Sequence, residues 1–278
     1  MPPPPYRSID HIMLRLSAAE PLFDLFSRVF ELPVAWPLQH AAFATYGWVH
    51  VGNTDLEFWA AASNADLPPH AQPPVVHGFA LEPAGPLPQA MAHTTALGIQ
   101  CKSPRPAQTI NPQGEVVTNF TNCVLLDLSA TGCCVFFCEW DPRGSIYPWD
   151  EAATPAQRRA QHRQVLQAQG GGPLGLIGLQ TVHMGTPDLP AHQRHWQALS
   201  GSLPGQALAL APGVGLELFS AEQLHIASLT FSVHSLAAAR AFLGSRHLLQ
   251  AGTTEDMLSL ACEGLPIRLV QGPGGAQA

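Results

Sequence analysis

The stretch Ile9–Glu20, "IDHIMLRLSAAE", decides the fold. Its first eight residues, to Leu16, read as a strand. "SAAE", Ser17 to Glu20, then has the form of a capping box, with Ser17 as the N-cap and Glu20 three residues later. Leu22, Phe26, Val29 and Phe30 follow at helical spacing. After "ELP" come three strand-like runs, "AFATYG", "WVHVG" and "LEFWAA". The unit is β-α-β-β-β.

The unit recurs along the chain. "VVHGFALEP", "LPQAMAHTTALGI", "TNFTNCVLLDL" and "GCCVFFCEW" form a second copy. "GLIGLQTVHMG", "DLPAHQRHWQALSG", "LALAP" and "VGLELFS" form a third. "IASLTFSV", "SLAAARAFLG", "DMLSLACEG" and "LPIRLVQ" form a fourth, whose helix Ser235 can cap. The copies span 8–61, 74–141, 174–221 and 225–271. Between the second and third lies "TPAQRRAQHRQVLQAQ", polar and helix-forming, with Thr154 as N-cap and Pro155 at the first helical position. Repetition with this period is an architectural statement. The expected fold is α+β, with four βαβββ modules paired into two tandem open-barrel domains. Residues 1–7 form a disordered tail, 8–141 the first domain, 142–173 a linker with a helix, 174–271 the second domain and 272–278 a second tail.

Composition narrows the function classes. Hydrophobic residues make up 46% of the 278, enough for a sizeable core, and only 12% are charged, so long charged tails are absent. The formal net charge is -7 and no Lys/Arg cluster is interleaved with aromatics, which argues against nucleic acid as a partner. No segment reads as a membrane span, and "MPPPPYRS" lacks the apolar core of a signal peptide. Six cysteines, two of them adjacent and others in apolar runs, fit buried thiols in a reducing cytoplasm. No phosphate-loop, dinucleotide or G-x-S-x-G signature is present.

Glu139 stands out. It is the fifth residue of "VFFCEW", Val135 to Trp140, a run that otherwise reads as a buried strand. A buried carboxylate needs a partner, a proton or a metal. Other polar residues occupy comparable strands: His11 in "DHIML", Glu57 in "DLEFW" and His77 in "VHGFAL". By strand alternation His11 shares a face with Met13 and Arg15, and Glu57 with Asp55 and Trp59. In the second module His77 goes with Phe79 and Leu81, and Glu139 with Val135 and Phe137. A cup lined by these groups is apolar with a few convergent polar side chains, as small-molecule sites are.

The four-module plan resembles the vicinal oxygen chelate superfamily, which includes glyoxalase I, bleomycin- and fosfomycin-resistance proteins, methylmalonyl-CoA epimerases and extradiol dioxygenases. The resemblance covers nearly the whole chain, on short motifs. It implies a cup around one divalent metal, with ligands on the first and last strand of each module. Carried onto this sequence, those positions are His11, Glu57, His77 and Glu139, a set suited to Zn, Fe, Mn, Ni or Co. Glu57 and Glu139 are then the candidate catalytic carboxylates, one of them serving as general base. The implied function is a metal-dependent lyase or isomerase acting on a small oxygenated substrate. The alternatives are an Fe(II) extradiol-type dioxygenase, in which His11, His77 and Glu139 form the triad, and a metal-independent binding protein of the bleomycin-resistance type. In the second half Glu217 matches Glu57, but Ser228 and Arg268 hold the other places and the stretch Leu179 to Thr181 has no histidine. A degenerate copy with a packing or dimerisation role is expected there, compatible with a homodimer. Asn119 and Asn122 are candidates for substrate hydrogen bonds or for turns, Arg15 for an anionic group or a nearby carboxylate, and Tyr147 and Trp149 for a lid or for packing on the linker helix. Cys138 reads as core.

Overall fold

The computed structural model describes residues 3–65, 67–69, 71–144, 146–147, 153–203 and 205–273. The first half contains β1 (Tyr6–Arg15), α1 (Glu20–Asp24), β2 (Val34–His40), β3 (Ala44–His50), β4 (Asp55–Ala61), β5 (Val75–Pro83), α2 (Leu87–Ala96), β6 (Arg105–Ile110), β7 (Val116–Val124) and β8 (Cys134–Trp140). These eight strands form one curled sheet in the order β2-β3-β4-β1-β5-β8-β7-β6. Next come α3 (Pro155–Ala168), β9 (Leu176–Thr186), α4 (Leu189–Ser200), β10 (Leu208–Ala211), β11 (Val214–Ser220), β12 (His225–Val233), α5 (Leu236–Ser245), β13 (Met257–Ser259) and β14 (Ile267–Gln271). They build a six-stranded sheet in the order β10-β11-β9-β12-β14-β13. No helix among the described residues is long and apolar enough to cross a membrane, and all six cysteines are free thiols.

The first two modules are βαβββ, while each of the last two has two strands after its helix. The chain between α4 and β10 is too short for a further strand, and in the last module a single bridge, Leu249 to Leu260, stands where one would run. Three local expectations also change. "AFATYG" and "WVHVG" are not separate strands, since Ala44–His50 is continuous, and the remaining strand of the first module is β2. β2 carries Pro37, and its counterpart β6 carries Pro106; both strands lie at sheet edges, where a missing N–H is tolerated. Ser17 does not cap α1, which starts at Glu20 behind Ala19 with no side-chain cap and continues as a π-helical turn over Leu25–Val29. Thr154 does form a capping box with Gln157, and Ser235 caps α5. The N-terminal tail is shorter than expected, because Tyr6 is buried in β1 and the Pro5 carbonyl accepts from Ala84 N–H.

Register shows how the modules are related. β1 runs antiparallel to β5, with Ile12 opposite Phe79, and each is parallel to its own last strand, β4 or β8. In β1 the core residues Ile9 and Ile12 are three apart, not two, and in β5 Val76 and Phe79 are likewise three apart. A register shift at each place absorbs the extra residue. Asp10–His11 and His77–Gly78 are therefore the same bulge, seen in the two modules. The opposite faces of both sheets share one continuous apolar core, with Phe79 5.9 Å from Trp196 and Phe30 6.3 Å from Phe242 between ring centroids.

Candidate functional site in the first cup

The concave face of the first sheet encloses a cavity of about 390 Å³. His11 and Met13 from β1, Trp48 from β3, Glu57 and Trp59 from β4, and Phe136, Cys138 and Trp140 from β8 contribute to its wall. Asn119, Phe120 and Asn122 reach it from β7. The two asparagines thus occupy ligand-facing positions on a strand, not a turn. Cys138 also lines the cavity, but burial pushes its thiol well above the usual value, so it is held protonated and unreactive.

Of the four residues singled out in the sequence, the structure brings together His11 and Glu57. His11 Nε2 lies 3.6 Å from Glu57 Oε2. His77 and Glu139 do not join them. Glu139 lies on the far face of the sheet, at the rim, where its Oε1 accepts a hydrogen bond from the Leu87 N–H at 2.8 Å. It satisfies the first turn of α2, an ordinary way to stabilise a carboxylate beside a helix N-terminus. The alternation read from sequence is kept, since Val135 and Phe137 share its side, but that side is the apolar core and not the cup. Cup and core are both apolar in this module, so composition cannot tell them apart. His77 is buried and does not line the cavity. It occupies the bulge position of Asp10. The counterpart of His11 is Gly78, and the counterpart of Glu57, set by the pairs Ile12–Leu56 and Phe79–Val135, is Phe136.

Those two identities decide whether a divalent metal fits the four related positions. Gly78 has φ +143°, and a Cβ there would come within 1.9 Å of the Cys134 carbonyl oxygen. No ligating side chain can be carried at that position. Phe136 places its ring 5.8 Å from the His11 ring. At the four related positions the cup therefore offers one imidazole and one carboxylate, and a metal does not fit this set. In the second sheet, register puts Thr181, Glu217, Ser228 and Arg268 at the related positions, the places read from sequence. Among the described residues, the one group of three such donors within reach of one another is His50, Asp55 and His162.

The cup instead contains a buried chain of charges. The bulge turns both Asp10 and His11 to the concave side, so these sequence neighbours hydrogen-bond through Nδ1 and Oδ2 at 2.8 Å. Asp10 also accepts from Trp140 Nε1 at 3.0 Å and from Arg159 at 2.7 Å. Arg159 belongs to α3 and also binds Glu82 and Ser8. α3 closes this end of the cup, and Arg158 lies over the rings of Trp140 and Tyr147. Tyr147 thus packs against the linker helix; Trp149 lies outside the described residues. Arg15, at the other end, hydrogen-bonds the Ser63 carbonyl and Asn64.

Burial pushes the His11 imidazole toward neutrality, but Asp10, Glu57 and Asp55 outweigh it and its pKa is raised. Burial likewise raises the Glu57 carboxyl, against the pull of His11 and Trp48. Asp10 differs: burial raises it, yet the bonds and charges of His11, Arg159 and Trp140 hold it at about 2 instead of 3.8. A carboxylate lowered on folding stabilises the native state above its unfolded pKa and loses that effect as pH falls through the folded value. Its contribution, about 2 kcal/mol, is expected to vanish between about pH 4 and pH 2. Urea unfolding across that range checks this, with Asp10→Asn showing a flatter pH dependence than the wild type. Asp10, Arg159 and Gly78 were not legible as site residues; the one sequence cue was an acidic residue beside a strand histidine.

No protein-family model matches the chain, and no curated protein sequence matches it. Solved structures do. The 2,3-dioxygenase LapB from Pseudomonas sp. KL28 superposes with a TM-score of 0.59 at 12% identity, over 97% of this chain and 93% of its own. A mutant of 4-hydroxymandelate synthase from Streptomyces coelicolor gives 0.58 at 12%, over 99% and 94%. Homoprotocatechuate 2,3-dioxygenase from Arthrobacter globiformis gives 0.54 at 12%, over 97% and 81%. Identity this low speaks to fold. With its curled sheets and paired modules, the chain shares the α+β fold of these enzymes.

Proposed function

We propose that the first cup binds a small, flat, oxygenated ring compound and that the chain acts on it as an enzyme of the dioxygenase kind, not as a glyoxalase- or epimerase-like lyase or isomerase. The observation that carries the ligand class is the wall of rings. Trp48, Trp59, Trp140, Phe120 and Phe136 surround a cavity of about 390 Å³, with His11 and Glu57 as its paired polar groups. Aromatic walls favour stacked or edge-on contacts with another ring. The reaction class leans on proteins of the same fold, three of them named as 2,3-dioxygenases and one of these solved with 3,4-dihydroxyphenylacetate. We assign the ligand-binding role to residues 8–141 and a packing role to 174–271.

The residues present do the following work. Glu57, its pKa raised by burial, is placed to take a proton from a bound hydroxyl. His11, held by Asp10, is placed to share or return that proton. The aromatic wall excludes water. No step runs through a metal, because Gly78 and Phe136 leave the cup without a ligand set; the ring deprotonated by Glu57 is itself the reductant of dioxygen, and both oxygen atoms enter the oxidised product. That same observation favours a second reading, a metal-independent binding protein.

The test is titration of tryptophan fluorescence with 3,4-dihydroxyphenylacetate and simpler phenols, followed by oxygen uptake by the metal-free chain. Saturable quenching with oxygen uptake supports the enzyme. Glu57→Gln should then lower turnover by about 10²–10⁴-fold while leaving ring binding within about tenfold. Binding without oxygen uptake moves the reading to the binding protein. No quenching by any ring compound removes both.

A further inference from the structure

The closed end of the first cup holds a group of side chains that the ring-binding site does not use. His50 ends β3, Asp55 begins β4 and His162 sits on α3, and each presents a ligand atom within 4.8 Å of the other two. His50 is fully buried, with Nδ1 2.6 Å from Asp55 Oδ1. His50 Nε2 and His162 Nδ1 are both buried without a hydrogen-bond partner, and the two rings lie 5.6 Å apart. Buried polar atoms are rarely left in that state. Beside them is a void of about 10 Å³ bordered by Asp10, Trp48, Asp55, Arg158 and His162. It has room for one ion or one water molecule and for no organic ligand.

We propose that His50, Asp55 and His162 bind one divalent transition-metal ion that fastens α3 across the end of the cup. Two imidazoles and a carboxylate suit zinc and its first-row neighbours, and they leave a coordination position for the water the void can hold. Because the donors come from two strands and a distant helix, binding couples directly to the docking of α3. The site is distinct from His11, Glu57, His77 and Glu139, and it does not depend on what the cavity binds.

The chelator-treated full chain is titrated with Co²⁺ and then Zn²⁺. One equivalent of Co²⁺ should bind, with the visible absorption of a low-coordinate site, and Zn²⁺ should displace it and raise the Tm. His162→Ala and the isosteric Asp55→Asn should each weaken binding by about 100-fold or more, while His77→Ala and Glu139→Gln should bind like the wild type. Absence of stoichiometric binding in the wild type overturns the proposal. So does binding that survives His162→Ala and Asp55→Asn, or binding lost in His77→Ala or Glu139→Gln. The readout uses no organic ligand, so its failure is distinguishable from failure of the ring-binding reading.

Discussion

Arg159→Met is expected to destabilise the chain by about 3–5 kcal/mol at neutral pH, the range for stripping a buried ion pair of one partner. Arg159 is 9% exposed at its side chain, bonded to Asp10 at 2.7 Å and to Glu82. Removing the guanidinium takes from two buried carboxylates their shared cation and leaves Glu82 only the half-exposed Arg7 at 3.7 Å and Asp10 only His11, while the Met side chain preserves much of the packing. Denaturant unfolding gives the number. Two companion measurements identify the cause. The loss should shrink as pH falls, because the abandoned carboxylates take up protons, and Arg159→Met combined with Glu82→Gln should be less unstable than the single variant. A loss below about 1 kcal/mol would mean that the pair behaves like an exposed salt bridge. The position matters for function as well as stability. Arg159 ties α3 to the bulge of β1 and so fixes Asp10, which in turn sets the plane and charge of His11.

The sequence carried the repeat clearly, because each module starts with a long apolar strand and a helix whose spacing survives without any conserved letter. It carried the first module's cup face too: His11 with Met13, and Glu57 with Trp59, are where alternation puts them. The second module misled for two physical reasons. Its cup and core faces are both apolar, so Phe136 and Phe137 look interchangeable although one faces the cavity and the other the helices. And matching His77 to His11 by residue type slips the modules by one position relative to the match of their core residues, Ile9 with Val76, Ile12 with Phe79 and Leu14 with Leu81. A one-residue slip moves a side chain to a different environment. The edge strands β2 and β6 were hidden because proline weakens the strand signal while being harmless at an edge. The role of α3 was invisible, because a polar helix between two repeats reads as a connector until its arginines are seen to reach the buried carboxylates.

Gly78→Ala is expected to lose more than about 4 kcal/mol or to yield no soluble protein, the range reserved for backbone conflicts that nothing can relieve. Two effects combine. The backbone φ of +143° is one that side-chain-bearing residues rarely adopt, and the added methyl would meet the Cys134 carbonyl oxygen at 1.9 Å and its carbonyl carbon and amide nitrogen at 2.7 Å. Those atoms belong to the β5–β8 ladder, where Gly78 pairs with Cys134, and cannot retreat without breaking it. Gly98→Ala is the comparison that separates the two effects. Gly98 also has positive φ, +81°, but nothing lies within 4 Å of the place a Cβ would take there, so its loss should be about 1 kcal/mol. If Gly78→Ala proved as mild as Gly98→Ala, β5 and β8 would not approach as closely as described. The position of His11's counterpart would then be open to a ligating side chain, and the case against a metal in the cup would fall with it. A large loss at Gly78 alone ties the shape of the ladder to the chemistry of the cup: the bulge that carries Asp10 and His11 in the first module carries His77 and Gly78 in the second, and at the position of His11 nothing can be presented.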